Sequence, residues 1–406
     1  MTIHFLASHE ESAQALYVQR CFLQQQPLVD ASMLAGLEQR LFIHLHVLAH
    51  RPQTSANPTD EGETFVCLAS QLLSRDRQRR LAGYEQAVTC LAEGGAVQQG
   101  AFQALALVSI PAEGQQLLEL YRETPHLRAL LFQLWQEQSY AVPAALTSAA
   151  ELRGLDPHLQ VAALQYASRQ AGSGLDLFAP YLQGWQGDSR PAATSGLILA
   201  AALWGARLHG DRTTDKHLWR CIETESEPEA FYQLLRLGAM AAEPKLVEVI
   251  RHYAAKHPER AAELLALHGT REAIDALLSL TPQLKDPALS AQIWRWVSGT
   301  DLQVSPHLQL VTEQTGADRQ NGPTVWWNKH RDRLAVGQRL LMGRQLDIPW
   351  VRQQCLNWAG RFSHHLLDLL AYLQGAPVGI SANVLQVKRQ HHLAQEAPQR
   401  VRQEAR

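Results

Sequence analysis

The sequence predicts an all-α protein: an α-solenoid of stacked helical hairpins, with a helical hairpin at its N-terminal end and a helical cap at its C-terminal end. Three observations lead there. Prolines at 125, 157, 191, 228, 258 and 287 recur every 29 to 37 residues. Each opens a stretch of apolar residues at helical spacing, and a second apolar periodic run precedes most of them. Strand-like alternation is scarce, so a period of about 30 residues points to helix pairs that bury their faces by stacking on one another.

Residues 5–50 read as two helices, Glu11–Gln24 and Ala31–Ala49. The second places Leu34, Leu37, Leu41, Leu45 and Leu48 on one face, which needs a partner to cover it. Arg51–Glu63, with Pro52, Ser55, Asn57, Pro58 and Gly62, has the composition of a linker. Helical periodicity resumes over Phe65–Leu73, Leu81–Leu91 and Val97–Val108. Between the first two of these, Arg75, Arg77, Arg79 and Arg80 around Asp76 and Gln78 read as a solvated turn.

The repeats proper run from about Pro111 to Leu302. Proline suits the first turn of a helix, where its fixed φ fits and its missing N–H has no intrahelical partner. Counting each proline as zero, positions two, six and nine fall on one helical face. They hold Leu127, Leu131, Leu134; Leu159, Ala163, Tyr166; Ala193, Leu197, Ala200; Ala230, Leu234, Leu237; Arg260, Leu264, Leu267; and Leu289, Ile293, Trp296. Only Arg260 breaks the stripe. Gly172, Gly238, Gly269 and Gly299 are placed to close these helices, since glycine takes a left-handed cap cheaply. The first helix of each pair comes from Leu117–Tyr121, Leu177–Tyr181, Leu218–Ile222, Leu246–Ile250 and Ile274–Leu278.

Beyond Asp301 the register fades. Six of the ten tryptophans, Trp294, Trp296, Trp326, Trp327, Trp350 and Trp358, lie past residue 290, which marks a terminal module. Gly316–Pro323 reads as the loop that opens it, and Lys388–Arg406 as a polar, frayed or disordered tail. The expected division is 1–58 as hairpin and linker, 59–302 as repeat array, 303–383 as tryptophan-rich cap and 384–406 as tail.

Composition limits the function. A net charge of −2, with ten Lys/Arg against twelve Asp/Glu over 213–300, argues against a surface built for nucleic-acid phosphates. The five cysteines are dispersed and form no CxxC pair, so neither a disulfide framework nor a metal knuckle is expected. His4, His9, Glu10 and Glu11 interrupt any secretory leader, and no run of about 18 apolar residues offers a membrane span. A cytoplasmic location is the expectation.

Asp156–Pro157 followed by Leu159, and Asp286–Pro287 followed by Leu289, resemble the start of the second helix in HEAT repeats, and the array as a whole is similar to HEAT and related solenoids. The arginine usual three residues after that proline stands here as Arg128, but the position is Gln160, Thr194, Phe231, Ala261 and Ser290 in the other units. These units are divergent, HEAT-like ones. Leu34–Leu45, and Trp326 followed by Gly337–Arg344 and then Arg389–Gln390, carry a narrower resemblance to an uncharacterised family of bacterial HEAT-like proteins. Its members are often encoded among type VI secretion accessory and effector genes, so the resemblance implies a context and no mechanism.

No P-loop, GxSxG, HExxH or GxGxxG is present. His44 with His46, His364 with His365, and His391 with His392 diverge by about 200° or about 100° on a helix, which suits structural roles better than chelation. His44 is placed to hydrogen-bond across the N-terminal hairpin. Trp296 belongs to the apolar stripe, while Trp294 is expected to point elsewhere. Trp326–Trp327 places two rings on different faces, one for the core and one for a neighbour or partner. Gly337, Arg339, Gly343 and Arg344 read either as an anion contact or as helix-end capping.

The leading expectation is a non-enzymatic protein-binding scaffold without cofactor or metal. Its context implies an adaptor, chaperone or immunity protein for a type VI secretion effector. The partner-facing candidates are Arg128, Gln160, Gln165, Gln233, Arg236, Glu263, Arg295, Trp326, Trp327, Arg339 and Arg344. An enzyme on a HEAT-like scaffold is the second class, a DNA-base glycosylase using Trp294, Trp296 and Asp301 or a tetrapyrrole lyase. A structural subunit that oligomerises through its tryptophan-rich end is the third.

Overall fold

The computed structural model describes residues 2–50, 58–108, 115–170, 173–182, 195–302 and 322–404. The protein is all-α: the described residues hold 21 α-helices and four two-residue strands. The helices run α1 (Thr2–Gln25), α2 (Ala31–Ala49), α3 (Glu61–Leu72), α4 (Arg77–Glu93), α5 (Gly95–Val108), α6 (Gln115–Glu123) and α7 (Arg128–Gln138). Next come α8 (Ala149–Arg153), α9 (Pro157–Ser168), α10 (Ala179–Leu182), α11 (Gly196–Leu208), α12 (Asp215–Thr224), α13 (Pro228–Ala241) and α14 (Leu246–Ala254). The last are α15 (Pro258–His268), α16 (Arg271–Leu280), α17 (Pro287–Ser298), α18 (Gly322–His330), α19 (Ile348–Asn357), α20 (Ser363–Gln374) and α21 (Gln386–Glu404). The strands are β1 (Val29–Asp30), β2 (Leu340–Leu341), β3 (Arg344–Gln345) and β4 (Trp358–Ala359).

The local signals act as their chemistry requires. Pro157, Pro228, Pro258 and Pro287 are the first residues of α9, α13, α15 and α17. Pro125 instead opens a 3₁₀ turn that runs into α7, and Pro191 and Gly172 lie outside the described residues. Asp156 and Asp286 cap their helices, accepting from the His158 and Ala288 N–H groups at 2.9 Å each. Gly269 (φ +66°) and Gly299 (φ +73°) take the left-handed cap. Gly238 does not close α13, which continues to Ala241. It sits inside the helix, where a Cβ would lie 3.0 Å from Leu246 Cδ2.

Other boundaries differ from the sequence reading. α1 begins at Thr2 rather than Glu11, and α3 takes Glu61–Glu63 from the expected linker because Asp60 caps it, accepting from Glu63 N at 2.8 Å. Gly322–Pro323 opens α18 instead of ending a loop, and the expected polar tail is helical over Gln386–Glu404. Its Arg389 is fully buried.

Chain contacts divide the protein into two compact units, and residues past 353 contribute to both. Unit 1 comprises the chain up to Pro180, Gln354–Asp368 and the chain from Ala376 onward. Here α1 and α2 form a hairpin whose inner leucines Leu34, Leu37, Leu41, Leu45 and Leu48 are all buried. Tyr17 of α1 stacks on Phe65 of α3 with ring centroids 4.1 Å apart. α3 packs on α4 and α5, α5 on α7, and α7 on α9. Far along the chain, β4 pairs antiparallel with β1 in the register Val29↔Ala359 and Asp30↔Trp358. The Gly360 turn (φ +85°) passes so close that a Cβ would meet the Gln26 carbonyl oxygen at 2.4 Å, which only glycine permits.

Unit 2 comprises Tyr181–Gln353 and Leu369–Gly375. α11 packs on α13, α13 on α15 and α15 on α17; α14 packs on α16, and α12, α14 and α16 each pack on neighbouring members of the first set. The stripe residues Ala230, Leu234, Leu237, Leu264, Leu267, Ile293 and Trp296 are buried between them. The β2–β3 hairpin is stitched across helix ends: Leu340 N donates to Gly269 O at 2.8 Å, Met342 N to Trp296 O at 2.7 Å and Gly343 N to Val297 O at 2.8 Å.

Candidate functional site

Polar positions flank the buried stripe on α13, at Gln233 and Arg236, and at the start of α15, at Glu259 and Arg260, while α11 is buried along nearly its whole length. There α13 and α15 each reach back to the preceding helix of the layer. The Arg236 guanidinium of α13 lies 4.7 Å from the ring centre of Trp204 on α11, and that of Arg260 on α15 lies 4.6 Å from Tyr232 on α13. Arg260 also meets Glu229 at 3.4 Å, and Gln233 Nε2 donates to Glu229 at 3.0 Å. Cation–aromatic contacts of this kind hold long side chains in place at partly exposed positions. The break in the apolar stripe at Arg260 is therefore where the polar face begins.

The eleven residues expected to face a partner separate into four groups. Gln165 and Arg344 are exposed, Arg344 stacking on Trp350 at 4.3 Å. Gln233, Arg236, Arg295 and Trp326 are half-buried on the surface, with Arg295 Nε 3.2 Å from Asp301 and Trp326 stacked on His330 at 4.3 Å. Glu263 and Trp327 are buried and offer no contact surface; Trp327 Nε1 donates to Asp275 at 2.7 Å.

The remaining three serve the fold. Arg128 donates to Tyr121 O at 2.7 Å and Gln160 to Leu155 O at 2.7 Å. Arg339 donates to Met240 O, Leu267 O and His268 O at 2.7, 2.9 and 3.0 Å, which closes the carbonyl ends of both α13 and α15. Burial pushes the Arg339 pKa down to about 10, so it stays charged. Arg79, expected in a solvated turn, does the same for α2, donating to Ala49 O at 2.9 Å.

Several histidines are engaged within the fold. His44 meets His9 across the α1–α2 hairpin, Nδ1 to Nδ1 at 2.8 Å, as its position suggested. His364 contacts Asn383 at 3.2 Å and His392 contacts the Val378 carbonyl at 2.7 Å. His268 Nε2–H donates to Glu243 O at 3.0 Å, while Thr270 donates to its Nδ1 at 3.0 Å. Burial holds this imidazole neutral and drives its pKa down to about 4. Trp294, expected to point away from the core, is buried like Trp296; their N–H groups donate to Thr281 Oγ1 at 2.9 Å and Ala266 O at 3.2 Å. Neither ring can stack on a base.

Unit 1 holds a buried charge cluster that the sequence did not disclose. Arg20 Nε donates to Glu38 Oε1 at 2.9 Å, the Gln386 N–H donates to Glu38 Oε2 at 2.8 Å, and Arg389 Nη2 donates to Trp358 O at 2.6 Å. All four of Arg20, Glu38, Gln386 and Arg389 are buried. A glutamate inside the α2 leucine face was the one available signal.

Among the described residues, no group of three or more His, Cys, Asp or Glu is placed to hold a metal ion, and no helix is long and apolar enough to cross a membrane. Fold and surface together define an all-α protein with a layered helical unit and an ordered polar face. No protein-family profile, curated protein or solved structure matches the chain.

Proposed function

We propose that the chain is a non-enzymatic scaffold whose second unit is a HEAT-like solenoid that binds a protein partner. The observation that carries this is the Trp204–Arg236 and Tyr232–Arg260 ladder. Exposed Arg260 and half-buried Tyr232, Gln233 and Arg236 are held in fixed positions on successive helices, Arg236 over the buried ring of Trp204, and preordered side chains lose little entropy on binding. The succession α11, α13, α15, α17, with α14 on α16 behind it, supports the stacked-hairpin reading. The resemblance of Leu34–Leu45 and Gly337–Arg344 to bacterial HEAT-like proteins supports a place among type VI secretion accessories, as adaptor, chaperone or immunity protein for an effector in the cytoplasm.

The test is co-purification of the full chain with the products of its neighbouring genes, using wild type and Arg260→Glu. The scaffold reading expects one stable complex that the variant weakens at least about 10-fold, because a reversed charge meets the partner's complementary group. No complex with any neighbour, together with unchanged secretion and toxin resistance when the gene is removed, refutes it.

A further inference from the structure

α21 brings two polar side chains into unit 1 that the fold buries completely. Gln386 and Arg389 are three residues apart, hence neighbours on one helical face, and both are 0% exposed. Arg389 Nη2 donates to Trp358 O at 2.6 Å, and Trp358 Nε1 donates at 3.0 Å to Oε1 of Gln354, a buried residue of α19. Trp358 thus joins Gln354 to Arg389, and Gln386 lies one turn away. Each of the three side chains keeps polar atoms that no hydrogen bond satisfies: Nε and Nη1 of Arg389, Nε2 and Oε1 of Gln386, and Nε2 of Gln354. All but the Gln386 oxygen are N–H donors. Buried donors are ordinarily matched, and a charged one left unmatched is the most costly.

The charges lean the same way. Arg20 is matched at every nitrogen, donating to Glu38 Oε1 at 2.9 Å, Gln24 Oε1 at 3.0 Å and Asn383 O at 2.7 Å. Glu38 gives its second oxygen to the Gln386 N–H at 2.8 Å. Among the described residues no carboxylate accepts from Arg389. Burial lowers its pKa to about 10, so the guanidinium stays charged at neutral pH. Arg20, Glu38 and Arg389 together therefore carry one net positive charge inside the protein.

We propose that unit 1 binds a small inorganic anion of single charge, a halide such as chloride, beside Arg389, Gln386 and Gln354. The donors select the class. A metal cation needs acceptors and is repelled by the guanidinium, whereas an anion accepts from Arg389 and from both amides at once. One negative charge balances the excess, which a water molecule cannot do and a doubly charged phosphate overshoots. The three side chains are at most 3% exposed, which favours a compact ion over an organic acid. Bound there, the ion ties the start of α21 to α19 and β4. The inference is independent of the partner-binding reading, which rests on unit 2.

Thermal unfolding of the full chain tests it, with chloride replacing gluconate from about 1 to about 300 mM at fixed ionic strength; gluconate is too large for an enclosed place. The melting temperature should rise with chloride and then saturate, by about 2–4 °C in all, and bromide should act alike. Arg389→Met, which removes the charge at similar volume, should lose most of that rise, while Arg344→Met, at an exposed residue of unit 2, should keep it. A second measurement needs no variant: crystals of the wild-type chain soaked in bromide should show an anomalous peak within hydrogen-bonding distance of Arg389 Nε or Nη1. A melting temperature equal in chloride and gluconate overturns the proposal, and so does a rise that Arg389→Met retains in full. Bromide-soaked crystals with water alone beside Arg389 overturn it as well.

Discussion

Arg339 Nη1 donates to the Met240 carbonyl oxygen at 2.7 Å across 99 residues of chain. The same side chain reaches Leu267 O and His268 O at 2.9 and 3.0 Å, so one guanidinium closes the ends of two successive helices of one layer. Arg339→Met leaves those carbonyls without donors and should cost about 3 kcal/mol, read as a shift in the urea midpoint. Arg339→Lys should recover less than half, because a single ammonium cannot reproduce the fork.

His268 sets a pH dependence. Its pKa is pushed down to about 4 in the folded protein by burial, below its ordinary value of 6.5. Between those values the unfolded chain binds a proton that the folded chain refuses, so stability is lost as pH falls through that window. The full loss is about 3 kcal/mol from this group. Urea unfolding at pH 7 and pH 4.5 should show it, and His268→Gln should flatten that part of the slope.

Leu234 lies in the middle of the α13 stripe and is 1% exposed. Leu234→Asp puts a carboxylate where only apolar neighbours pack, at a cost of about 4 kcal/mol or more. A strongly lowered melting temperature is expected; unchanged melting removes the assignment of that face.

Glu38 is the carboxylate that pairs with buried Arg20 in the unit 1 cluster, and it also accepts from the Gln386 N–H. Glu38→Ala strands buried arginine charge and should destabilise by about 3–5 kcal/mol. Arg20→Met combined with Glu38→Leu should lose much less, since removing both partners removes the desolvation cost along with the attraction. Denaturant titration of the two single variants and the pair measures the coupling.

What was readable in advance had a local cause. The α2 span, the prolines that start α9, α13, α15 and α17, the caps at Gly269 and Gly299, and the buried stripe of α13 all follow from φ preferences, capping chemistry and a 3.6-residue period. Gly238 has the signature of a cap, but α13 continues past it to Ala241 and Ala242 takes the left-handed cap conformation instead. Arg128, Gln160 and Arg339 looked like surface groups because a polar side chain announces its charge and hides its destination.

By itself the sequence determined the all-α class, the span of α2, the starting points of α9, α13, α15 and α17 and the apolar faces those helices bury, because each depends on neighbours a few residues away. Only the tertiary structure decided that β4 pairs with β1, that Arg339 closes α13 and α15, that His44 meets His9 and that Arg20 joins Glu38 within reach of α21. Those contacts are made by groups distant in the chain, and their energies appear only once packing has brought donors to carbonyls that a helix leaves unpaired.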